Sequence, residues 1–201
     1  MAGNACRECR KFGEKLFVKG ERCVGPGCAL TRRVNAPGTS GSAKAGQSRR
    51  RKKSEYGIQL QEKQKAKFTY GMRERQFRAV YEKAVRVGGV TGEVMLQNLE
   101  RRLDNILYRA GLASSRPQAR QMVGHGHVKI NDKLADIPSM LVNIKDVITL
   151  TKPELADDKN KVVAPAWMKV NKMQVEIKAF PRREEIETPV DEQLIVEYYS
   201  R

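Results

Sequence analysis

Arg101-Arg102-Leu103-Asp104-Asn105-Ile106-Leu107-Tyr108-Arg109, then Ser115-Arg116-Pro117-Gln118, then His125-Gly126-His127-Val128-Lys129-Ile130-Asn131 make up the stretch from which the fold can be read. Leu96, Leu99, Leu103, Ile106, Leu107 and Ala110 recur at spacings of three and four, which predicts one amphipathic helix stopped at Gly111. Ser115 then serves as a helix cap. Pro117 falls in the first turn, where no amide hydrogen bond is lost, and Gln118 closes a capping box. Ala119, Met122 and Val123 face inward along this second helix, Arg116 and Arg120 share an outer face, and Gly124 ends it. His125-Gly126-His127 turns into a strand in which Val128 and Ile130 point one way and His127, Lys129 and Asn131 the other. Asn131-Asp132 is a tight turn, and residues 146–150 read as a further strand. The expected product is an αα-then-β unit with Arg116, Arg120, His127 and Lys129 on one surface.

Upstream, Phe77, Val80, Tyr81, Ala84 and Val85 build one apolar stripe on a helix over 72–87. Arg73, Arg75, Arg78, Lys83 and Arg86 stand off that stripe, open to phosphate, and Gly88-Gly89 ends the element. Residues 56–67, with Gln59, Gln61, Lys63 and Lys65, form a polar and basic helical segment. Downstream, Met173, Val175 and Ile177 alternate like a strand, and Trp167 is expected to pack.

Charge narrows the function. The 201 residues carry 39 Lys+Arg against 23 Asp+Glu, a formal net charge of +16. Such an excess repels itself in a compact fold and suits a polyanion partner. It is also local: residues 1–53 hold 14 Lys or Arg and 3 Asp or Glu, while 181–201 hold 3 and 6. Solvated faces account for a single basic helix; an imbalance this concentrated points to nucleic acid. No apolar run approaches the roughly 18–20 residues that a membrane helix needs. Residues 1–6 show no apolar signal-peptide core, so a soluble, cytosolic chain is expected, with no membrane partner.

All four cysteines lie near the N-terminus, as Cys6-x2-Cys9 and Cys23-x4-Cys28 separated by 13 residues. Pairs so spaced suit four thiolates closing on one tetrahedral ion. Arg7, Arg10 and Lys11 sit beside the first pair, where cations favour the thiolate. Two disulfides or four idle thiols are the competing readings; disulfides are disfavoured in a cytosolic chain. Four thiolates leave no open position for substrate, so the site would be structural. Zn2+ is expected, and an iron–sulfur cluster stays open on spacing alone.

Residues 35–48 have the composition of a flexible linker, which runs into Arg49-Arg50-Arg51-Lys52-Lys53. These five cations need phosphate or solvent to screen them; a nuclear-localisation signal is the rival reading. Two histidines one residue apart, His125 and His127, could suggest metal or acid–base work. With no carboxylate or cysteine nearby in sequence, RNA contact is favoured.

The 101–109, 113–116 and 125–131 motifs resemble the RNA-binding module of the ribosomal S-four family, which also occurs in pseudouridine synthases, tyrosyl-tRNA synthetases and a heat-shock protein. The flanks narrow the likeness. Residues 54–65, 70–77 and 194–201 are similar to stretches of the ribosomal members themselves, in order and over almost the whole chain, and the cysteines match a four-cysteine metal-binding subtype. Gln61 stands where the family pattern has a basic residue, and 39–53 is longer and more basic than that pattern. These departures leave open how the linker runs and which phosphates it meets.

The resemblance implies an α+β fold of three parts. They are an N-terminal four-cysteine metal-binding segment and linker (1–43), a mostly helical rRNA-binding domain completed by a C-terminal β segment (44–96 with 165–201), and the inserted αα-then-β module (97–164). It further implies a non-enzymatic constituent of the small ribosomal subunit that binds 16S rRNA at a multi-helix junction in the five-prime domain, nucleates assembly of the subunit body and contributes to translational accuracy. Implied partners are 16S rRNA, ribosomal protein S-five, and messenger RNA near the entry channel; no small-molecule substrate and no homo-oligomer are expected. The RNA-binding residues expected are Lys44, Arg49, Arg50, Arg51, Lys52, Lys53, Tyr56, Gln59, Lys63, Lys65, Arg73, Arg75, Arg78, Arg102, Arg109, Ser115, Arg116, Arg120, His125, His127 and Lys129. An enzyme carrying the same module would need a catalytic domain, and the residues after 151 offer no nucleotide-binding glycine loop or acid–base constellation. A cysteine-metal DNA-binding regulator would explain the charge and the cysteines but neither the module nor the C-terminus.

Overall fold

The computed structural model describes residues 5–32, 54–152, 164–171 and 173–201. Lys44 and the 49–53 cation run therefore lie outside the described residues. The described chain forms two units, one reaching Thr69 and including Val190–Arg201, the other running Tyr70–Pro189.

The first unit holds α1 (Ala5–Phe12), the single-turn helices α2 (Glu21–Val24) and α3 (Ala29–Arg32), α4 (Glu55–Thr69) and the C-terminal α9 (Glu192–Ser200). α4 packs along α9, burying Ala66 and Ile195 completely. The Asp191 carboxylate accepts from the amides of Gln193 and Leu194, the first-turn donors of α9 that lack a helical partner. Phe12 meets Phe68 with ring centroids 6.2 Å apart, so Cys9, Phe12 and Leu16 form a small apolar cluster against α4.

The second unit holds α5 (Glu74–Val87), α6 (Thr91–Glu100), α7 (Leu103–Arg109), α8 (Arg116–Gly124), β1 (Val128–Ile130), β2 (Lys133–Ala135), β3 (Val147–Leu150), β4 (Met168–Asn171), β5 (Gln174–Ile177) and a 3-10 turn, Arg183–Glu185. The strands form one sheet in the order β2-β1-β3-β5-β4, with every pairing antiparallel. Asn131 and Asp132 both take positive φ, 48° and 66°, as the tight turn between Ile130 and Lys133 requires. Leu103, Ile106, Leu107, Met122 and Val123 from α7 and α8 share one core with Val128, Ile148, Leu150, Trp167, Val175 and Ile177. Alternation along β1, β3 and β5 thus points one face of the sheet at that core.

Three expectations change. The apolar period over 96–110 is not one helix but two, α6 and α7, broken at Arg101-Arg102. Arg102 is extended, φ −68° and ψ 138°, and bridges Leu141. The amides of Leu103 and Asp104 turn to the carbonyls of Met140 and Pro138, at 2.9 and 3.2 Å. The loop after β2 answers donors that an unbroken helix would satisfy internally.

The second change is allegiance. Residues 165–177 do not complete the helical domain; they supply β4 and β5 to the sheet of the inserted module, and β5 pairs directly with β3. The C-terminal partner of α4 is a helix, α9. The two compact units divide at 69/70 and 189/190, where the expected domains divide at 96/97 and 164/165. Third, the α5 stripe is narrower than its period: Phe77 and Ala84 are buried, whereas Val85 is 51% exposed.

Candidate nucleic-acid interface and cysteine cluster

The second unit contains a polar network built on two buried carboxylates. Glu100, 1% exposed, ends α6. It accepts from the Tyr70 hydroxyl at 2.6 Å, from Asn105 Nδ2 at 2.7 Å, and from Arg109 Nε and Nη2 at 3.0 and 3.2 Å. Thr188 Oγ1 lies 3.1 Å from both the Tyr70 hydroxyl and Arg109 Nη2. Burial alone would push the Glu100 carboxyl up. The Arg109 guanidinium overrides it, with help from Arg116 and the Tyr70 hydroxyl, and holds the group below its ordinary value. Burial and the Glu100 charge push the Tyr70 hydroxyl up. Burial would lower the Arg109 pKa, but Glu100 reverses the sign and raises it.

Asp104 is the second centre, in the first turn of α7. Arg102 grips it with Nε and Nη2 at 3.1 and 2.9 Å. Arg120 reaches it from α8 with Nε and Nη2 at 3.1 and 2.6 Å. The remaining Arg120 donor, Nη1, binds the Gly71 carbonyl. Gly71 has φ +61°, and a Cβ there would stand 3.2 Å from Arg120 Nη1. The positive φ favours glycine, and a Cβ would crowd the Arg120 guanidinium by a few tenths of an ångström.

Of the cations expected at RNA, the structure turns several inward. Arg102 and Arg109 are each 7% exposed and committed to Asp104 and Glu100. Arg120 spends all three nitrogens inside the unit rather than on an outer face. Ser115 accepts from the Gln118 amide as the cap of α8, while the Gln118 side chain reaches one residue further back, to the amide of Ser114 at 2.8 Å. In the first unit, Lys65 is buried between Glu14 and Glu62 at 3.1 and 2.9 Å, Gln59 donates to Glu197, and Lys63 lies under the Tyr198 ring at 4.5 Å. These side chains have partners within their own unit.

Others stay outside. Arg73, Arg75 and Arg78 are exposed along α5 and its first turn, with Arg78 paired to its neighbour Glu82. Tyr56 is 49% exposed beside Tyr198. His125 is exposed and His127 and Lys129 half-exposed, so the histidine loop is reachable from solvent. Arg116 is distinctive. Its Nε donates to Asn105 Oδ1 at 2.8 Å, and its guanidinium lies over Tyr108 at 4.4 Å and Tyr70 at 5.2 Å.

Tyr70, Asp104, Asn105 and Tyr108 lie within the quoted motifs, but neither they nor Glu100 and Thr188 are among the site residues expected from the sequence. Glu100 and Asp104 offered one signal: each adjoins an inward leucine of the apolar period, Leu99 and Leu103, where an acid is out of place unless paired.

The cysteines sit on α1 (Cys6, Cys9), on α2 (Cys23) and just before α3 (Cys28), all as free thiols. Cys9, Cys23 and Cys28 are buried. Burial pushes the Cys9 and Cys23 thiols up, and the charges of neighbouring cysteines add to it. Backbone donors face the sulfurs: the Lys19 amide meets Cys23 Sγ at 3.3 Å. Burial would also raise Cys28, but hydrogen bonds from Thr31 and Leu30 outweigh it and lower its pKa. Among the described residues, no three His, Cys, Asp or Glu side chains stand as a formed metal-binding group. No helix among them is long and apolar enough to cross a membrane.

Comparison with known proteins covers both units. Residues 1–100 match the family described as ribosomal protein S4/S9 N-terminal domain, and residues 101–148 match the S4 domain. Relatives include the small ribosomal subunit protein uS4 of Syntrophomonas wolfei subsp. wolfei, 49% identical over 98% of this chain and 97% of that protein. The proteins of the same name from Desulfitobacterium hafniense and Thermoanaerobacter pseudethanolicus are each 47% identical, over 99% of this chain and 98% of theirs.

Proposed function

The chain belongs to the ribosomal protein uS4 family, and on that premise we propose how it works in the small subunit. It is a structural, non-catalytic constituent of the small ribosomal subunit in the cytoplasm, and it binds 16S rRNA. The observation that carries this is the end-to-end match to small-subunit proteins, set on a chain of net charge +16. Affinity comes chiefly from neutralising phosphates and releasing counterions. Selectivity comes from the shape of folded RNA, because A-form helices hide their base edges in a deep, narrow groove.

The finer assignment is a multi-helix junction in the five-prime domain, bound early so that the subunit body assembles on it, with an effect on translational accuracy. A contact with ribosomal protein S-five and an approach of the 44–53 segment to messenger RNA belong to the same proposal. The outward cations Arg73, Arg75 and Arg78 and the exposed histidine loop support a protein that meets RNA. Binding to the isolated five-prime domain of 16S rRNA, titrated against salt with duplex DNA as competitor, tests it. Tight binding that resists DNA and weakens steeply with salt is expected. Equal affinity for the two nucleic acids would overturn the specific assignment.

Cys6, Cys9, Cys23 and Cys28 are proposed to hold a structural Zn2+ ion. The donor set fits: all four thiols are free, three of them are buried, and a cation together with the amide aimed at Cys23 Sγ would stabilise them as thiolates. Four thiolates would close the zinc shell, so the ion would supply folding energy and no catalysis. One zinc per purified chain and no visible absorption is the expected result. Visible bands would instead indicate an iron–sulfur cluster.

A further inference from the structure

Arg102 and Arg120 bond Asp104, Arg109 bonds Glu100, and Arg116 bonds Asn105, which in turn donates to Glu100. The next acid, Glu187, stands 3.6 Å from Arg109 Nη1 but is 85% exposed, so solvent screens it. Arg102 and Arg109 are buried with one carboxylate each, whereas Arg116 and Arg120 are half-exposed, so their charge reaches the surface.

A position for an external anion follows from which donors remain. Arg102 spends Nε and Nη2 on Asp104, Arg120 its three nitrogens on Asp104 and backbone carbonyls, and Arg109 Nε and Nη2 on Glu100 and Thr188. Arg116 uses only Nε, on Asn105. Its two Nη groups have no hydrogen-bond partner among the described residues, and the residue is half-exposed. The plane is also fixed. Tyr108 stacks on it at 4.4 Å, Tyr70 flanks it at 5.2 Å, and Asn105 is itself held by Glu100. A guanidinium locked on its Nε edge and face, with its Nη edge open, presents a two-pronged donor of the shape that fits a phosphate.

We propose that Arg116 is a pre-organised fork for one RNA phosphodiester, and that Asn105 and Tyr108 are positioning residues that hold it. Arg102, Arg109 and Arg120 build the socket and do not touch RNA. The proposal rests on the rRNA-binding function above and assigns roles within it.

The test compares full-length, metal-loaded variants for binding to the five-prime domain of 16S rRNA across a salt series, with thermal unfolding as a control for folding. Wild-type protein that fails to bind this RNA selectively defeats the functional proposal itself. If it binds, Arg116→Gln should weaken binding about tenfold and reduce the slope of log K against log salt by about 0.7–0.9, one phosphate's worth. Arg116→Lys should keep the slope and still lose affinity, because a point charge cannot grip with two prongs. Tyr108→Leu should weaken binding severalfold with the slope unchanged, and Tyr108→Phe, which keeps the ring, should recover that loss. Asn105→Ala should behave like Tyr108→Leu. Arg116→Gln that folds and binds with wild-type affinity and slope overturns the inference. So does a Tyr108→Leu loss that tracks only a lowered melting temperature.

Discussion

Arginine does opposite work in two parts of the second unit. On α5, Arg73, Arg75 and Arg78 stand in solvent, and Arg78 meets the neighbouring Glu82 in an exposed pair that contributes little to stability. Around α7, Arg102 and Arg109 are almost wholly buried and hold the two carboxylates on which α6, α7 and α8 converge. The α5 cations offer long-range attraction to a polyanion that salt can screen. The buried ones are fixed in geometry and define one outward guanidinium, Arg116. A count of basic residues treats the two sets alike; burial separates steering from architecture.

Removing an anchor should have the largest effect. Glu100→Ala leaves Arg109 buried without its partner, and an expected loss of about 3–5 kcal/mol would appear in urea unfolding. An unchanged midpoint would mean that the network is decorative. The same carboxylate sets an acid limit. Its folded pKa is depressed, so its contribution is complete above the ordinary glutamate value of about 4.3. That contribution is lost as pH falls through the folded value. Glu100→Gln should therefore flatten the dependence of stability on pH on the acid side, measured against wild type.

Asp104→Asn weakens two charged contacts without emptying the site, and about 2–3 kcal/mol is expected by the same measurement. Ser115→Ala removes only the cap of α8 and should cost about 1 kcal/mol. At the small end, Arg75→Gln should leave the unfolding midpoint in place while lowering the salt slope of RNA binding. A stability loss there as large as at Asp104 would erase the distinction between the two sets.

The sequence made legible what is decided locally. Ser115, Pro117 and Gln118 announced the start of α8, and Asn131-Asp132 the hairpin, because caps and tight turns depend on a few adjacent residues. The break at Arg101-Arg102 was hidden, since the carbonyls that permit it come from Pro138 and Met140, over thirty residues away. The allegiance of 165–177 was hidden for the same reason: alternation shows a strand, but only the β3–β5 register shows its neighbour. Lys63 and Lys65 read as an RNA-facing edge because spacing cannot reveal that Tyr198 and Glu14 wait on the other side. The charge of the chain was plain throughout. Its division into socket and fork required the positions of Glu100 and Asp104.

The chain enters the second unit at Tyr70 and leaves it just after Thr188, and these two side chains touch at 3.1 Å over Glu100. The unit is therefore a cassette whose two ends are fastened side by side. Joining such ends requires only a short connection, and closing a short loop costs little entropy. A segment of this kind can be spliced into a surface turn of a host chain without prying that turn apart, as inserted domains require. Excised between Tyr70 and Pro189 and closed by a brief linker, it has the topology of a transplantable part.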